Sequence, residues 1–217
     1  MTHGPILVIN PNSSRRVTDG LAQALRPYAL PGGPVFECLD IPESPATIAS
    51  EDDVARCGLR LAELAQGRTD ASAVVIACFS DPGLDLARDL LSIAVIGIQQ
   101  AGILTAMARA DRFGIIALSP ASVARHMRRM RGMGVLDRLA GEEALPGVSA
   151  EDAGHSDAVY AQTLTAGQRL VAQGAGAIVL GCAGFAPRRA ALEAALGVPV
   201  IDPVQAAAVI ALGAVLA

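Results

Sequence analysis

The run Ala73-Val-Val-Ile-Ala-Cys-Phe-Ser-Asp-Pro-Gly83 decides how this chain is read. Its first six residues are apolar without alternation, the pattern of a parallel strand covered on both faces. The turn signature Asp81-Pro82-Gly83 then stops it. The same plan returns at Ala177-Ile-Val-Leu-Gly-Cys182, followed by the small residues Ala183 and Gly184. Two further pairs keep the same order at nearly the same spacing. Ile6-Leu-Val-Ile-Asn-Pro11 matches Ile115-Ile-Ala-Leu-Ser-Pro120, and Ile93-Ala-Val-Ile-Gly-Ile98 matches Val198-Pro-Val-Ile-Asp-Pro203. Single apolar strands resemble one another by chance, but three ordered pairs point to an internal duplication.

Periodicity predicts strands at Ile6–Asn10, Val35–Leu39, Ala73–Cys78, Ile93–Ile98, Phe113–Leu118, Ala177–Gly181 and Val198–Ile201. Helices are predicted near Ser14–Leu25, Glu51–Ala65, Asp85–Leu91, Gln99–Ala108, Ala121–Met130, Ser156–Ala172, Arg188–Leu196 and Val204–Leu216. This alternation gives an α/β fold with mostly parallel sheets flanked by helices. The duplication divides it into two similar lobes, residues 1–98 and 99–203, with the site in the cleft between them. The terminal helix, 204–217, is expected to pack back onto the first lobe. Residues 132–153 carry Gly and Pro with weak periodicity and read as a flap over the cleft.

Composition removes several function classes. The chain has 217 residues, of which 52% are hydrophobic, and a mean hydropathy of +0.44, so disorder is excluded. All 17 basic residues are Arg. Without a lysine there is no Schiff base, no pyridoxal-phosphate anchor and no P-loop. A net charge of -4 and 3% aromatics argue against nucleic acid. The uncharged run from Leu90 to Ala108 reaches the length of a membrane span, but its polar and glycine interruptions read as a buried strand and then a helix. No charged leader with an apolar core precedes residue 30, so a soluble cytoplasmic protein is expected. The four cysteines and three histidines show no metal-ligand spacing, and no metal or cofactor is expected.

Cys78 and Cys182 each close an apolar strand at its C-terminal end, where open α/β sheets place their ligands. Lobes facing each other across a pseudo-twofold axis bring such thiols to opposite sides of one cleft. That suits a reaction in which a proton leaves one face of a carbon and returns to the other. A thiol before a helix N-terminus also gains from the dipole, which favours thiolate. The plainer alternative is that both are small buried hydrophobes. Cys38 and Cys57 have no equivalents and read as filler.

Ile9-Asn-Pro-Asn-Ser-Ser14, Ala77-Cys-Phe-Ser-Asp-Pro-Gly-Leu84 and Val179-Leu-Gly-Cys-Ala-Gly184 together resemble the signatures of the Asp/Glu/hydantoin racemase superfamily, nearest its hydantoin and allantoin racemase branch. The resemblance runs through nearly the whole chain. It implies a two-lobed pseudo-symmetric fold, cofactor-free racemisation, and Cys78 and Cys182 as acid and base. It also implies a small-molecule substrate bound partly by Asn10, with the chain forming a homo-oligomer. Arylmalonate decarboxylase, maleate isomerase and a catalytically silent ligand-binding protein are the alternatives on this frame. Several positions depart from the hydantoin branch: Gln100 stands where a Glu is usual, Ala117 and Leu118 replace paired threonines, Ser80 replaces an Asp and Phe185 a Met.

Further candidate contacts are Phe79 and Ser80 after the first cysteine, and Ser119, matched to Asn10 by the repeat. The backbone N–H groups of Ala183 and Gly184 are placed to receive developing negative charge. Ser13 and Ser14 read as helix caps. Asp81 is expected to cap the helix that follows it. Arg125, Arg128, Arg129 and Arg131 look like an anion site, but on a helical stretch a solvated face or a subunit contact is the favoured reading. With few hydrogen-bond donors foreseen in the cleft, a neutral cyclic ureide is expected in preference to aspartate or glutamate.

Overall fold

The computed structural model describes residues 3–217. Eight strands form two parallel sheets. The first is ordered β2-β1-β3-β4, with β1 Ile6–Asn10, β2 Phe36–Asp40, β3 Ala73–Ile76 and β4 Ala94–Gly97. The second is ordered β6-β5-β7-β8, with β5 Phe113–Ala117, β6 Leu139–Ala144, β7 Ala177–Gly181 and β8 Val200–Ile201. The two orders are the same plan used twice. Each sheet is parallel throughout, as the unbroken apolar runs require.

The helices are α1 Arg15–Leu25, α2 Glu51–Gln66, α3 Leu84–Leu90, α4 Ile98–Arg109, α5 Pro120–Met133, α6 Asp152–His155, α7 Asp157–Ala172, α8 Arg189–Leu196 and α9 Pro203–Leu216. Alternate strand residues serve different cores. Ile6, Val8, Val75, Ile115 and Val179 point inward to one continuous core shared by both sheets. Leu7, Ile9, Val74 and Ile76 point outward under α2 and α3, while Ile178 and Leu180 do so under α7 and α8. Helix α4 leaves the first sheet and packs on β7 of the second; α9 leaves the second and packs on β3 and β4 of the first. The two also pack on each other, so the shared core is closed by an exchange of helices. The Leu90–Ala108 run is the end of α3, β4 and most of α4, and among the described residues no helix is long and apolar enough to cross a membrane.

Two local expectations are corrected. Residues 132–153 are not one flap: Leu139–Ala144 pairs with β5 as an edge strand, and only the loop behind it reaches the cleft. The strand escaped the sequence reading because Gly141, Glu142 and Glu143 interrupt its apolar pattern. Asp81 does not cap α3, whose N-cap is Gly83 with no side-chain bond. Its carboxylate instead accepts from the N–H groups of Gln99 (2.9 Å) and Gln100 (3.0 Å), and so caps α4. Asp202 caps α9 in the same way, accepting from Val204 at 2.8 Å. Burial pushes both carboxyls up to about 6 despite these bonds.

The turn after β3 is fixed by a backbone-on-backbone contact. Gly83 has φ +73°, and a Cβ there would lie 2.5 Å from the Gly58 carbonyl oxygen of α2. A Cβ on Gly58 would in turn lie 2.6 Å from the Gly83 nitrogen. Gly58→Ala is therefore expected to lower stability by about 1–3 kcal/mol, as overpacking against rigid backbone does. Gly20→Ala, in α1 with open space around its Cβ, should be neutral or gain up to about 1 kcal/mol. Urea midpoints of the two variants check this, and equal midpoints would contradict it.

Candidate active site

A cavity of about 230 Å³ lies between the lobes at the C-terminal ends of β3 and β7. Cys78 and Cys182 both line it, each two positions or fewer beyond its strand, and neither is in a disulfide. The Gly184 N–H donates to Cys182 Sγ at 3.4 Å, and the Ser80 N–H bears on Cys78 in the equivalent way. These donors do not prevail. Burial pushes Cys78 up to about 12 and Cys182 up to about 11, the N–H groups and Arg125 offsetting only part of it. Each thiol is thus protonated in the free protein near neutral pH, contrary to the thiolate expected from the dipole alone. The Cys182 charge also raises Cys78, which puts the two sulfurs within electrostatic reach of each other.

Phe79, Ser80, Ser119 and Ala183 line the cavity with the thiols. Asn10 and Gly184 do not. The Asn10 side chain is fully buried in the β1–α1 turn, where its amide donates to Asn12 Oδ1 at 2.7 Å, to Thr18 Oγ1 at 3.1 Å and to the Ser14 carbonyl at 3.2 Å. Asn12 faces the cavity instead. Strand register explains the difference. Ile6 pairs with Ala73 and Phe113 with Ala177, so Asn12, not Asn10, occupies the place that Ser119 holds in the second lobe. The sequence match had slid β1 by two residues, which keeps every side chain on its face and so leaves no trace in the apolar pattern. Ser14 is the N-cap of α1, accepting from the Val17 N–H.

Of the positions that depart from the hydantoin branch, Leu118 lines the cavity, Ala117 is buried in its strand, and Gln100 points away to accept from Arg88 at 2.7 Å. Phe185 is buried in the outer core of the second lobe.

Sequence reading missed two groups and disfavoured a third, Arg125, as an anion site. The loops behind the edge strands β2 and β6 contribute Thr47 and Ile48 on one side and Gly147 and Val148 on the other. His126 lies against Phe79 edge-on, with centroids 5.0 Å apart, and its Nδ1 meets the buried Glu142 at 2.5 Å. That contact and the edge-on packing on Phe79 hold the ring in place. Arg125 also lines the cavity, whereas Arg128 and Arg129 pair with Glu51 and Asp85 of the first lobe. Arg128 and Arg129 therefore clasp the lobes, Arg125 turns inward, and Arg131 stays on the solvated face. An i, i+3, i+6/7 reading of Ser119, Ser122, Arg125 and His126 along α5 was the available signal.

A protein-family model described as Asp/Glu/Hydantoin racemase matches residues 6–211. The chain belongs to the Asp/Glu/hydantoin racemase family. It is 36% identical to a hydantoin racemase of Paenarthrobacter aurescens over 208 residues, covering 93% of this chain and 87% of that one. A hydantoin racemase of Rhizobium meliloti is also 36% identical, over 93% of this chain and 85% of that one. Among solved structures, an allantoin racemase from Klebsiella pneumoniae superposes with a TM-score of 0.89 at 30% identity, over 98% of this chain and 88% of that one. This racemase-family chain is accordingly an isomerase.

Raised thiol pKa values have a direct consequence. Because burial holds both groups protonated, thiolate appears only as pH climbs toward about 11 at Cys182 and about 12 at Cys78. Iodoacetamide labelling of the cavity thiols should be slow at pH 7, rise about tenfold per pH unit to pH 9.5, and mark Cys182 before Cys78. A labelling rate that levels off near pH 8 would contradict it. By linkage, the thiols' contribution to stability is present below the unfolded thiol value and is lost as pH rises through those folded values.

Proposed function

We propose that this family member racemises a five-membered cyclic ureide of the hydantoin or allantoin type, using Cys78 and Cys182 as the acid–base pair. The observation that carries the reading is that both thiols line one small cavity from equivalent strand ends of the two lobes. The 36% identity to hydantoin racemases and the 30% identity to an allantoin racemase support the substrate class.

The active form holds one proton on the pair. One sulfur, as thiolate, takes the proton from the stereogenic carbon; the electron pair moves into the flanking carbonyl. The opposite thiol then donates its proton to the other face, and its sulfur becomes the thiolate. Handedness of the substrate decides which cysteine acts first. The burial that disfavours thiolate also makes the thiolate a stronger base once formed, which a carbon acid needs. Asn12 and Ser119, at equivalent places in the two lobes, are positioned to bond the ring's polar groups. An amino acid fits less well. Its ammonium group would need a carboxylate, and among the described residues lining the cavity there is none.

Cys78→Ser and Cys182→Ser are each expected to lower racemisation by about 10³-fold or more, since serine is a far weaker base. Each variant should still exchange the ring Cα proton of one enantiomer with solvent deuterium. Cys38→Ser and Cys57→Ser should retain activity. Circular dichroism of 5-substituted hydantoins, allantoin, aspartate and glutamate, with exchange followed by NMR, reads all of this. Full activity in either cavity variant removes that cysteine from the mechanism. Faster racemisation of aspartate or glutamate than of every ureide overturns the substrate class, and ligand protection of the thiols without any racemisation would mark a silent binding protein.

A further inference from the structure

Arg125 is the one described cavity residue with a permanent charge; Asp53 lies within electrostatic reach of it, but no carboxylate of the described residues is in contact with it. Its side chain is 9% exposed. Nη1 donates to the carbonyls of Ala121 (3.0 Å) and Ala49 (3.1 Å), and Nε to Ser80 Oγ at 3.4 Å. All three anchors are neutral. Among the described residues Arg125 forms no ion pair, although Arg128 and Arg129 on the same helix both do. Its Nη2 bonds no protein group, yet it is not among the atoms sealed from solvent without a partner. The guanidinium is therefore clamped along one edge with Nη2 unbonded by the protein, and Arg125 and Ser80 stand in the wall between the cavity and a shallower outer hollow beside Glu51.

A buried cation without a counter-charge is costly, and structures keep one where a ligand supplies the charge. Ser80 Oγ accepts from Arg125, which leaves its own hydrogen free to donate to the same ligand atom. Ser80 lies two residues beyond Cys78, so this donor pair stands beside the reacting carbon rather than remote from it. Among the described residues no carboxylate lines the cavity itself. The cavity volume of about 230 Å³ leaves room for a ring and a short arm only.

We propose that Arg125, assisted by Ser80, holds a carboxylate carried on a short arm of the substrate, so that the preferred ligands are anionic ureides such as 5-(carboxymethyl)- and 5-(carboxyethyl)hydantoin rather than neutral ones. This rests on the ureide racemase reading above and reverses the neutral substrate expected from the sequence, where a solvated face or subunit contact is favoured over an anion site for the Arg125 cluster.

The test compares each acid with the primary amide of the same arm, a neutral match in size. In the unmodified protein the acid is expected to exceed the amide in kcat/KM by about 10- to 100-fold, mostly through KM, with the preference shrinking at high salt. In Arg125→Gln the acid-to-amide ratio should fall to about one, and Arg125→Lys should restore part of it. Equal turnover of acid and amide in the unmodified protein overturns the proposal without any variant. A proportional loss for both in Arg125→Gln also overturns it, because Arg125 would then serve the ring or the fold. The same ligands are scored for protection of Cys78 and Cys182 from iodoacetamide. If no ureide racemises but the acid still protects, and does so only with Arg125 present, the anion site stands and the racemase reading fails. No acid-selective turnover and no acid-selective protection would overturn the site itself.

Discussion

Two close backbone contacts hold the chemistry of this molecule in place. Behind the first thiol, Gly83 sits against Gly58 of α2. Behind the second, a Cβ on Gly184 would lie 2.0 Å from the Ala150 carbonyl oxygen, so only glycine lets that turn approach the loop below β6. Each turn is thereby pressed inward from outside its sheet, and each cysteine is carried off the end of its strand into the cleft. A side chain at either contact would meet rigid backbone and displace the turn that follows the cysteine.

That inward press sets the electrostatics. The N–H groups after each cysteine are arranged as an anion-binding turn, and in water they would favour thiolate. Here desolvation outweighs them, and both thiols rest protonated. A cavity that withholds charge from its thiols makes either one, once ionised, a strong base, which is what the proposed ureide chemistry requires. Arg125 sits in the same wall, the one described residue of the cavity with a permanent charge. His126, tied to Glu142 and laid against Phe79, stiffens the wall between them.

The lobes are joined more deeply than a hinged pair. The exchange of α4 and α9 gives them one core, and the N-termini of both helices are capped by buried carboxylates, Asp81 and Asp202. Over the cleft the clasp is polar: Arg128 with Glu51, Arg129 with Asp85, Arg125 with the Ala49 carbonyl, and Ser14 with Glu151 at 2.5 Å. The apolar joint fixes the lobes at the back, while the polar contacts rim the opening.

By itself the sequence determined the strands that are buried on both faces, the helices between them, and the cysteines at two equivalent strand ends. These are local properties: an unbroken apolar run, a 3.6-residue period and a Pro-Gly turn are each written within about ten residues. It lost β6, because an edge strand with one half-exposed face need not be apolar. It put Asn10 in the site where the fold puts Asn12, because a slip of two residues preserves the inward and outward pattern and only pairing with β3 reveals it. It placed Asp81 on α3 and favoured the surface for Arg125, because Asp81 meets its partners only when β3 and β4 pair, and Arg125 meets Ser80 and Ala49 only across the two lobes. The thiol charge states also belong to the tertiary structure. A helix dipole can be read from a turn, but the desolvation that overrides it comes from residues of both lobes packed around the same two sulfurs.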